Sequence, residues 1–290
     1  MPESIEKAPW FDPTWKGGSV SPRAYAVLAP NASWETFEGT NTWILHDDGC
    51  ERCYVVDPGP DDAEHLQRVA EIACSLAQRV TAILLTHEHI DHAQGASALA
   101  DMLSVPVLSR VNGNLPDGPL YMQGAPQVEV VSLPGHSSDS VGFVFPADSS
   151  IVTGDVILWQ ASTAIIWPDG NLRQYMESLV TLKRMVLDGS CTRFLTAHRR
   201  PVDDCLGTIE KYLAHRTMRL DMVRQAVRDV GSADMSSLIS RVYGDVDAQY
   251  HALYSVNLRA QLAYLEETND PCMQGESEAS WKEAPVYSMQ

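Results

Sequence analysis

The residues best suited to chemistry form one short run, His87-Glu88-His89-Ile90-Asp91-His92. Three imidazoles and a carboxylate within six residues are the donor set of a transition-metal site, because imidazole nitrogen and carboxylate oxygen both suit zinc and its neighbours. The run follows an apolar, β-favouring stretch from Val80 to Thr86 that reads as a strand. If the chain leaves that strand extended, His87 and His89 point to one side, while Asp91 and His92 open the helix suggested by Ala93 to Leu103. Ligands divided in that way suit two neighbouring ions better than one. The competing reading, a polar loop that is merely rich in histidine, has to account for the residues downstream.

Downstream, the same context recurs. Val128 to Leu133 leads into Pro134-Gly135-His136, Ile151 to Gly154 leads into Asp155, and Arg193 to Ala197 leads into His198. Upstream, Cys53 to Val56 delivers Asp57 ahead of Pro58-Gly59. Each is a short apolar run with one metal-capable side chain at its end. A single His or Asp after a strand is ordinarily a turn residue. Five such strand ends in succession, one carrying the histidine cluster, form a pattern that turn chemistry does not explain.

In this order the motifs resemble those of the metallo-β-lactamase-fold hydrolases. The resemblance covers about residues 22 to 268 and is nearer to a lactamase-like branch that includes a mitochondrial endoribonuclease and many bacterial hydrolases. Three further segments carry the branch likeness: Gly39-Thr40-Asn41-Thr42-Trp43; Gly154-Asp155 followed by Trp159, Ser162, Thr163 and Pro168-Asp169-Gly170; and Tyr212-Leu213-Ala214-His215-Arg216 with helical periodicity to Glu267. The fold this implies is α/β, an αββα sandwich with a C-terminal helical, winged-helix-like extension. The resemblance further implies one metal on His87, His89 and His136, a second on Asp91, His92 and His198, and Asp155 bridging the two. Asp91 and Asp155 are then the carboxylates closest to the chemistry, with a hydroxide held between the ions as nucleophile. Asp57 is expected to orient the His loop by hydrogen bonds rather than to touch a metal. Two positions depart from the family pattern. Arg199 stands where Gly commonly follows the last ligand, and Val156 stands where the branch often has His after the bridging Asp. An inward Arg199 would select an anionic substrate; an outward one would pair with Asp203 or Asp204. Trp159, Ser162, Thr163 and Trp167 are candidate substrate contacts, with core packing the competing reading for the two tryptophans.

The elements that must position these residues are legible in outline. Strands are expected near 24–29, 41–46 and 53–57, a helix after an Asp61-x-x-Glu64 capping box with Leu66, Val69, Ala70 and Ala73 on one face, and a helix from Leu172 to Leu187 with a stripe of Leu179, Leu182, Met185 and Val186. Residues 112–127 read as a turn-rich connection beside the site. The chain divides into an irregular arm, 1–22, a catalytic domain, 23–206, the helical extension, 207–268, and a polar, acidic tail, 269–290, with the composition of disorder. Cys50 and Cys53 have C-x-x-C spacing, but no second such pair completes a zinc ribbon and no βαβ pattern frames a thioredoxin-like motif, so they read as ordinary thiols near a hairpin turn. His46, His65 and His251 have no supporting pattern, and His215 reads as structural.

The 290-residue chain is 44% hydrophobic, enough for a sizeable core, and carries a net charge of −17. That charge repels phosphate backbones and anionic lipid at long range. No run of 18 apolar residues reads as a membrane span and no apolar N-terminal segment reads as a signal peptide, so the location expected is cytoplasmic. Residues 201–268 hold seven Lys and Arg against ten Asp and Glu, which is not the basic platform of a nucleic-acid binder. The function expected is therefore dinuclear, metal-dependent hydrolysis of a small ester, thioester or lactam, with two divalent ions, zinc first. Single-strand-directed endoribonuclease activity is the alternative. Iron redox chemistry fits less well because flavo-diiron relatives place Glu where this chain has His89. A non-catalytic metal-binding module would not need so full a ligand set. The partners expected are a small-molecule substrate and no membrane, with nucleic acid disfavoured but not excluded, and a homodimer as a compatible assembly.

Overall fold

A computed structural model describes residues 11–231, 234–245, 250–274 and 281. Eleven strands form two mixed sheets. The first runs in the order β1 (Gly18–Ser19), β2 (Ala24–Leu28), β3 (Asn41–Leu45), β4 (Arg52–Val56), β5 (Arg79–Leu84), β6 (Val107–Leu108). The second contains β7 (Gly118–Leu120), β8 (Val128–Ser132), β9 (Val141–Phe145), β10 (Ser150–Gly154) and β11 (Arg193–Thr196), in the order β11-β10-β9-β8-β7. Most neighbours are antiparallel, but β4, β5 and β6 are parallel to one another, and so are β10 and β11.

The pleat explains why the central strands read as unbroken apolar runs. Successive side chains point to opposite faces. On β3, β4 and β5 one face carries Trp43, Leu45, Tyr54, Val56, Ala82 and Leu84, which pack against Val128, Val130, Val141, Phe143, Phe145, Val152 and Leu195 of the second sheet. The other face carries Ile44, Cys53, Val55 and Ile83, which pack beneath the helices α1 (Ala63–Leu76) and α3 (Ala96–Leu103). A strand buried on both faces has no polar alternation to show. The four apolar residues expected on one face of α1, Leu66, Val69, Ala70 and Ala73, are all buried there. The cap lies one residue later than the capping box suggests: Asp62, not Asp61, accepts the His65 N–H at 2.8 Å. The helix expected from Ala93 is broken at Gln94–Gly95 into α2 (Ile90–Ala93) and α3.

The chain forms two compact units, and they do not follow one cut in the sequence. The first comprises Met1–Leu133, Asp139–Ser162 and Lys183–Cys205, and holds both sheets. Residues 11–22 belong to it as more than an arm: β1 pairs with β2, and Trp15 lies in the core with its indole N–H donated to Asn41 Oδ1 at 2.9 Å. The second comprises Pro134–Ser138, Thr163–Leu182 and Leu206–Gln290. It takes most of α4 (Leu172–Leu187), whose bounds are those expected, together with α5 (Cys205–Val230), α6 (Met235–Tyr243) and α7 (His251–Glu267). Of the α4 stripe, Leu179 and Leu182 are buried and Met185 and Val186 half-buried, while Tyr175, outside the stripe, is fully buried. Among the described residues the extension is helical and carries no strand. Much of the tail expected to be disordered, 269–290, lies outside the described residues; the described part turns at Pro271–Met273 and pairs Asp270 with Arg224 at 2.8 Å. No helix of the described residues is long and apolar enough to cross a membrane.

None of the six cysteines is in a disulfide, although the buried Cys191 and Cys205 thiols are hydrogen-bonded to each other. Cys53 lies inside the sheet, and burial pushes its thiol up to about 12, whereas Cys74 is exposed and Cys50 and Cys272 are half-buried. The expected result of alkylation on the native protein is prompt modification of Cys74 and protection of Cys53, Cys191 and Cys205 until unfolding, because only the thiolate of an accessible cysteine attacks. Peptide mapping after a short exposure to iodoacetamide checks this; Cys53 labelled as fast as Cys74 would overturn it.

Candidate metal centre

The parallel strand pairs explain why the chemistry gathers at one edge of the first unit. Parallel neighbours end on the same side, so the residues after β4 and β5 emerge together, as do those after β10 and β11. Val56 pairs with Leu84, and the Asp57 N–H continues the ladder to Leu84 O at 3.0 Å. Gly154 pairs with Thr196. Two seams then tie the sheets to each other at this edge: Asn41 N–H donates to Ala197 O at 2.7 Å, and Val141 N–H donates to Thr86 O at 2.8 Å. The approach is close enough that a Cβ on Gly154 would lie 2.8 Å from Thr86 Oγ1, at a φ of +51° that already favours glycine.

Asp57 is the organiser of the edge. It is fully buried, at φ +50°, and its Oδ1 accepts the Thr86 N–H at 2.8 Å. Its Oδ2 accepts the Thr86 hydroxyl at 2.6 Å and faces His92 Nδ1 at 2.9 Å. The Thr86 oxygen in turn lies 3.1 Å from His87 Nδ1. One carboxylate thus assigns two tautomers, with His92 donating to it directly and His87 donating to the threonine. Both rings turn their Nε2 away from these partners. His198 is held in the same sense, its Nδ1 facing Gly39 O at 3.3 Å. Thr86 is the partner sequence reasoning missed, because a threonine in a β-favouring run looks like a strand former. His65 was also missed: buried in the first turn of α1, it faces Thr42 Oγ1 at 3.1 Å and Pro58 O at 3.0 Å, and so braces the loop after Asp57.

The ring nitrogens face one another and the carboxylates. His87 Nε2 lies 3.0 Å from His89 Nδ1. A few ångströms away, Asp91 Oδ2 lies 3.5 Å from His92 Nε2 and 3.2 Å from His198 Nε2. Asp155 Oδ1 lies 3.6 and 3.3 Å from the same two nitrogens. His92 Nε2 and His198 Nε2 are buried and have no hydrogen-bond partner, although carboxylate oxygens face them. Burial opposes charge on His92, but Asp91, Asp155 and Asp57 outweigh it and hold the imidazole well above its ordinary range. His198 is raised by the same balance, with Asp155 and Asp91 overcoming burial. Burial likewise opposes ionisation of Asp91, yet His92 and His198 hold its carboxyl well below the usual range. Buried imidazoles aimed at half-buried carboxylates without hydrogen-bond alignment are the environment a cation resolves. The donor atoms fit zinc or a similar ion: His87, His92 and Asp155 form one converging set, and Asp91, His92 and His198 another.

The remaining sequence candidates divide between the two units. His136 belongs to the second unit, where its Nδ1 faces Ala164 O at 2.9 Å. Ser162 is exposed; Thr163 is buried, with its carbonyl accepting from Arg216. Trp167 stacks edge-on with Trp281 in the second unit, at a centroid distance of 5.9 Å. Trp159 remains in the first unit and lies under Arg199, 5.2 Å from its guanidinium. Asp203, one of the two acids considered for an outward Arg199, is 2.6 Å from Arg193, and Arg199 donates to the carbonyls of Trp159 and Gln160 at 3.2 and 3.3 Å. The 112–127 connection divides. Gly124 O accepts the Arg52 N–H at the start of β4, the end away from Asp57. Asn114 instead supports Ser109, whose hydroxyl donates to Glu88 within the histidine run at 2.6 Å.

A family model described as the metallo-beta-lactamase superfamily matches residues 36–113, the span that carries Asp57 and the whole histidine run. An atrochrysone carboxyl ACP thioesterase of Aspergillus novofumigatus is 30% identical over 244 residues, covering 78% of this chain and 72% of that protein. The chain belongs to the metallo-β-lactamase superfamily. A second relative, an atrochrysone carboxyl ACP thioesterase of Aspergillus fumigatus, is 26% identical and covers 84% of this chain and 82% of its own length. Among solved structures, a beta-lactamase domain protein from Burkholderia ambifaria superposes with a TM-score of 0.70 at 20% identity, covering 88% of each chain. The superfamily fold is thus shared along most of the chain, and this member is a hydrolase.

Proposed function

We propose that this superfamily member is a dinuclear, zinc-dependent hydrolase of acyl thioesters and related small carboxylic derivatives. The observation that carries the reading is the buried pair His92 Nε2 and His198 Nε2, each facing both Asp91 and Asp155 within 3.6 Å, beside a separate approach of His87 to His89 at 3.0 Å. In this reading His87, His89 and His136 hold the first ion, Asp91, His92 and His198 hold the second, and Asp155 serves both. When bound, such ions supply Lewis acidity and a hydroxide nucleophile at neutral pH. The chain's own share is to keep the imidazoles in the right tautomer through Asp57 and Thr86, and to exclude water by burying His87, His92 and His198. The names of the two thioesterase relatives favour a thioester, and the net charge of −17 weighs against an RNA substrate. The cytoplasm remains the location proposed.

The test is a hydrolysis panel on the zinc-loaded protein: acyl thioesters, simple esters, lactones, β-lactams and single-stranded RNA, together with elemental analysis. The expected result is two ions per chain and turnover fastest on thioesters. One ion per chain at saturation, with His198 dispensable for binding it, overturns the dinuclear assignment. Turnover fastest on RNA, lost in His89→Ala and weakened by salt, replaces the substrate class.

A further inference from the structure

His198 is followed by two arginines that stack between aromatic rings in an alternating column. The Arg199 guanidinium lies 4.8 Å from the Phe37 ring centroid and 5.2 Å from that of Trp159. Arg200 lies 5.9 Å from the Trp159 ring and 5.8 Å from Trp15. The order is Phe37, Arg199, Trp159, Arg200, Trp15, with Trp159 shared by the two cations. Its ends are pinned. Arg199 sits 3.9 Å from the buried carboxylate of Glu38 and donates to Trp159 O and Gln160 O. Arg200 pairs with Asp12 at 2.6 Å and donates to the Thr14 hydroxyl. Arg200, chiefly, and Thr14 hold the Asp12 carboxyl down at about 2.

The column joins four segments remote in sequence, 12–15, 37–38, 159–160 and 199–200, and three of them reverse direction at it. Phe37, Gln160 and Arg199 all have left-handed backbone, at φ of +55°, +51° and +66°. Non-glycine residues rarely hold that conformation unless the surroundings fix it. His198 leaves the edge strand of its sheet. On the side of β3, its backbone is fixed by the bridge to Thr40 and by Asn41, which also donates to Arg199 O at 2.7 Å. Beyond β11 the chain folds back at the Phe194–Val202 bridge, so His198, Arg199 and Arg200 lie in the loop that this bridge closes, and the stacked guanidiniums hold that loop. The 159–160 segment lies a few residues beyond Asp155 in the chain, so the column spans the two strand ends that deliver Asp155 and His198.

We infer that Arg199 is a positioning residue for the second metal. By stacking between Phe37 and Trp159 it fixes the distance between His198 and Asp155, and so sets the affinity of the Asp91–His92–His198 site without touching an ion. The inference rests on the dinuclear reading above. Guanidinium is the group the role needs, since a planar, always-charged fork can stack on two rings and donate to two carbonyls at once, and lysine cannot.

The experiment is a zinc titration of the metal-free, full-length protein against a chromophoric chelator, for the native chain, Arg199→Asn, Arg199→Lys and Phe37→Leu, with the unfolding temperature of each metal-free protein measured alongside. Asn tolerates the left-handed backbone, so R199N removes the side chain with little backbone penalty. The expected result is that R199N weakens the second zinc by roughly 10–100-fold, the range for loss of an outer partner, and leaves the first unchanged. R199K is expected to behave like R199N, and F37L to weaken the second zinc in the same direction by less. If the native chain binds only one zinc, the dinuclear reading fails and the inference falls with it. If the native chain binds two and R199N binds both as tightly, the inference alone is overturned. It is overturned equally if R199N lowers the unfolding temperature and weakens both sites in proportion, or if R199K retains native affinity. Should R199N not fold, an unchanged second affinity in F37L overturns it.

Discussion

Replacing Asp155 with Ala is expected to remove turnover and to lower zinc content, with an effect on kcat/KM well beyond that of Asp57→Ala. Asp155 Oδ1 faces His92 and His198 within 3.6 Å, and its carboxylate also converges with His87, so it is the acid common to both donor groups. Its loss leaves two dications, or one dication and buried imidazoles, without the negative charge between them. Asp57 acts differently. It is buried behind Thr86 and His92 and orients the rings that face the site. Removing an orienting partner costs about 10–100-fold in metal affinity or activity. The pair of variants therefore ranks the two carboxylates by role. Elemental analysis and steady-state kinetics on both check it; D57A stripped of both ions while D155A keeps both would reverse the assignment.

Gly135→Ala is expected to be among the most destabilising single changes in the chain. Gly135 sits at φ +128°, and a Cβ there would lie 2.2 Å from Tyr175 N and 2.4 Å from Tyr175 Cα, both backbone atoms of α4 in the same unit. A flexible side chain could swing away from such a contact; a helix backbone cannot. The turn is further committed, since Gly135 N–H donates to Ser137 O at 3.0 Å and Gly135 O accepts the Asn171 N–H at 2.9 Å. Strain at a special φ added to overpacking places the cost on the order of 4 kcal/mol, at the top of the usual range for one substitution. For a protein of this size that is a fall of about 8–16 °C in unfolding temperature. Thermal unfolding of the purified variant checks it, and a midpoint indistinguishable from the native protein would show that α4 can shift at Tyr175.

The site was legible at strand ends and illegible wherever it depends on side chains meeting across loops. Asp57, His87, Asp155 and His198 each close a short apolar run, so periodicity alone located them, and the bounds of α4 followed from its stripe. The cap of α1 was off by one residue because Asp61 and Asp62 are chemically equivalent in sequence, and only the geometry shows that Asp62 takes the His65 N–H. Thr86 was invisible because its hydroxyl matters only once Asp57 and His87 lie on either side of it. Arg199 stood out as a departure, yet its stacking partners were not legible. Its partners Phe37 and Trp159 come from loops more than a hundred residues apart, and no local pattern announces a stack.

The division of ligands between the sheets sets a timetable for biosynthesis. The first sheet ends at Leu108 and already carries Asp57 and the entire histidine run, while Asp155 and His198 arrive with the last strands of the second sheet. At ~5–20 residues per second, translation from Leu108 to His198 lasts on the order of ten seconds. Throughout that interval the nascent chain displays His87, His89, Asp91 and His92 with neither the closing carboxylate nor the final imidazole. A cation caught by that half-site is held by an open ligand set and exchanges with the surrounding pool. On the proposed metal-dependent reading, complete loading would have to wait until β11 has docked, so the metal retained would reflect what the folded site meets rather than what the early half-site met first.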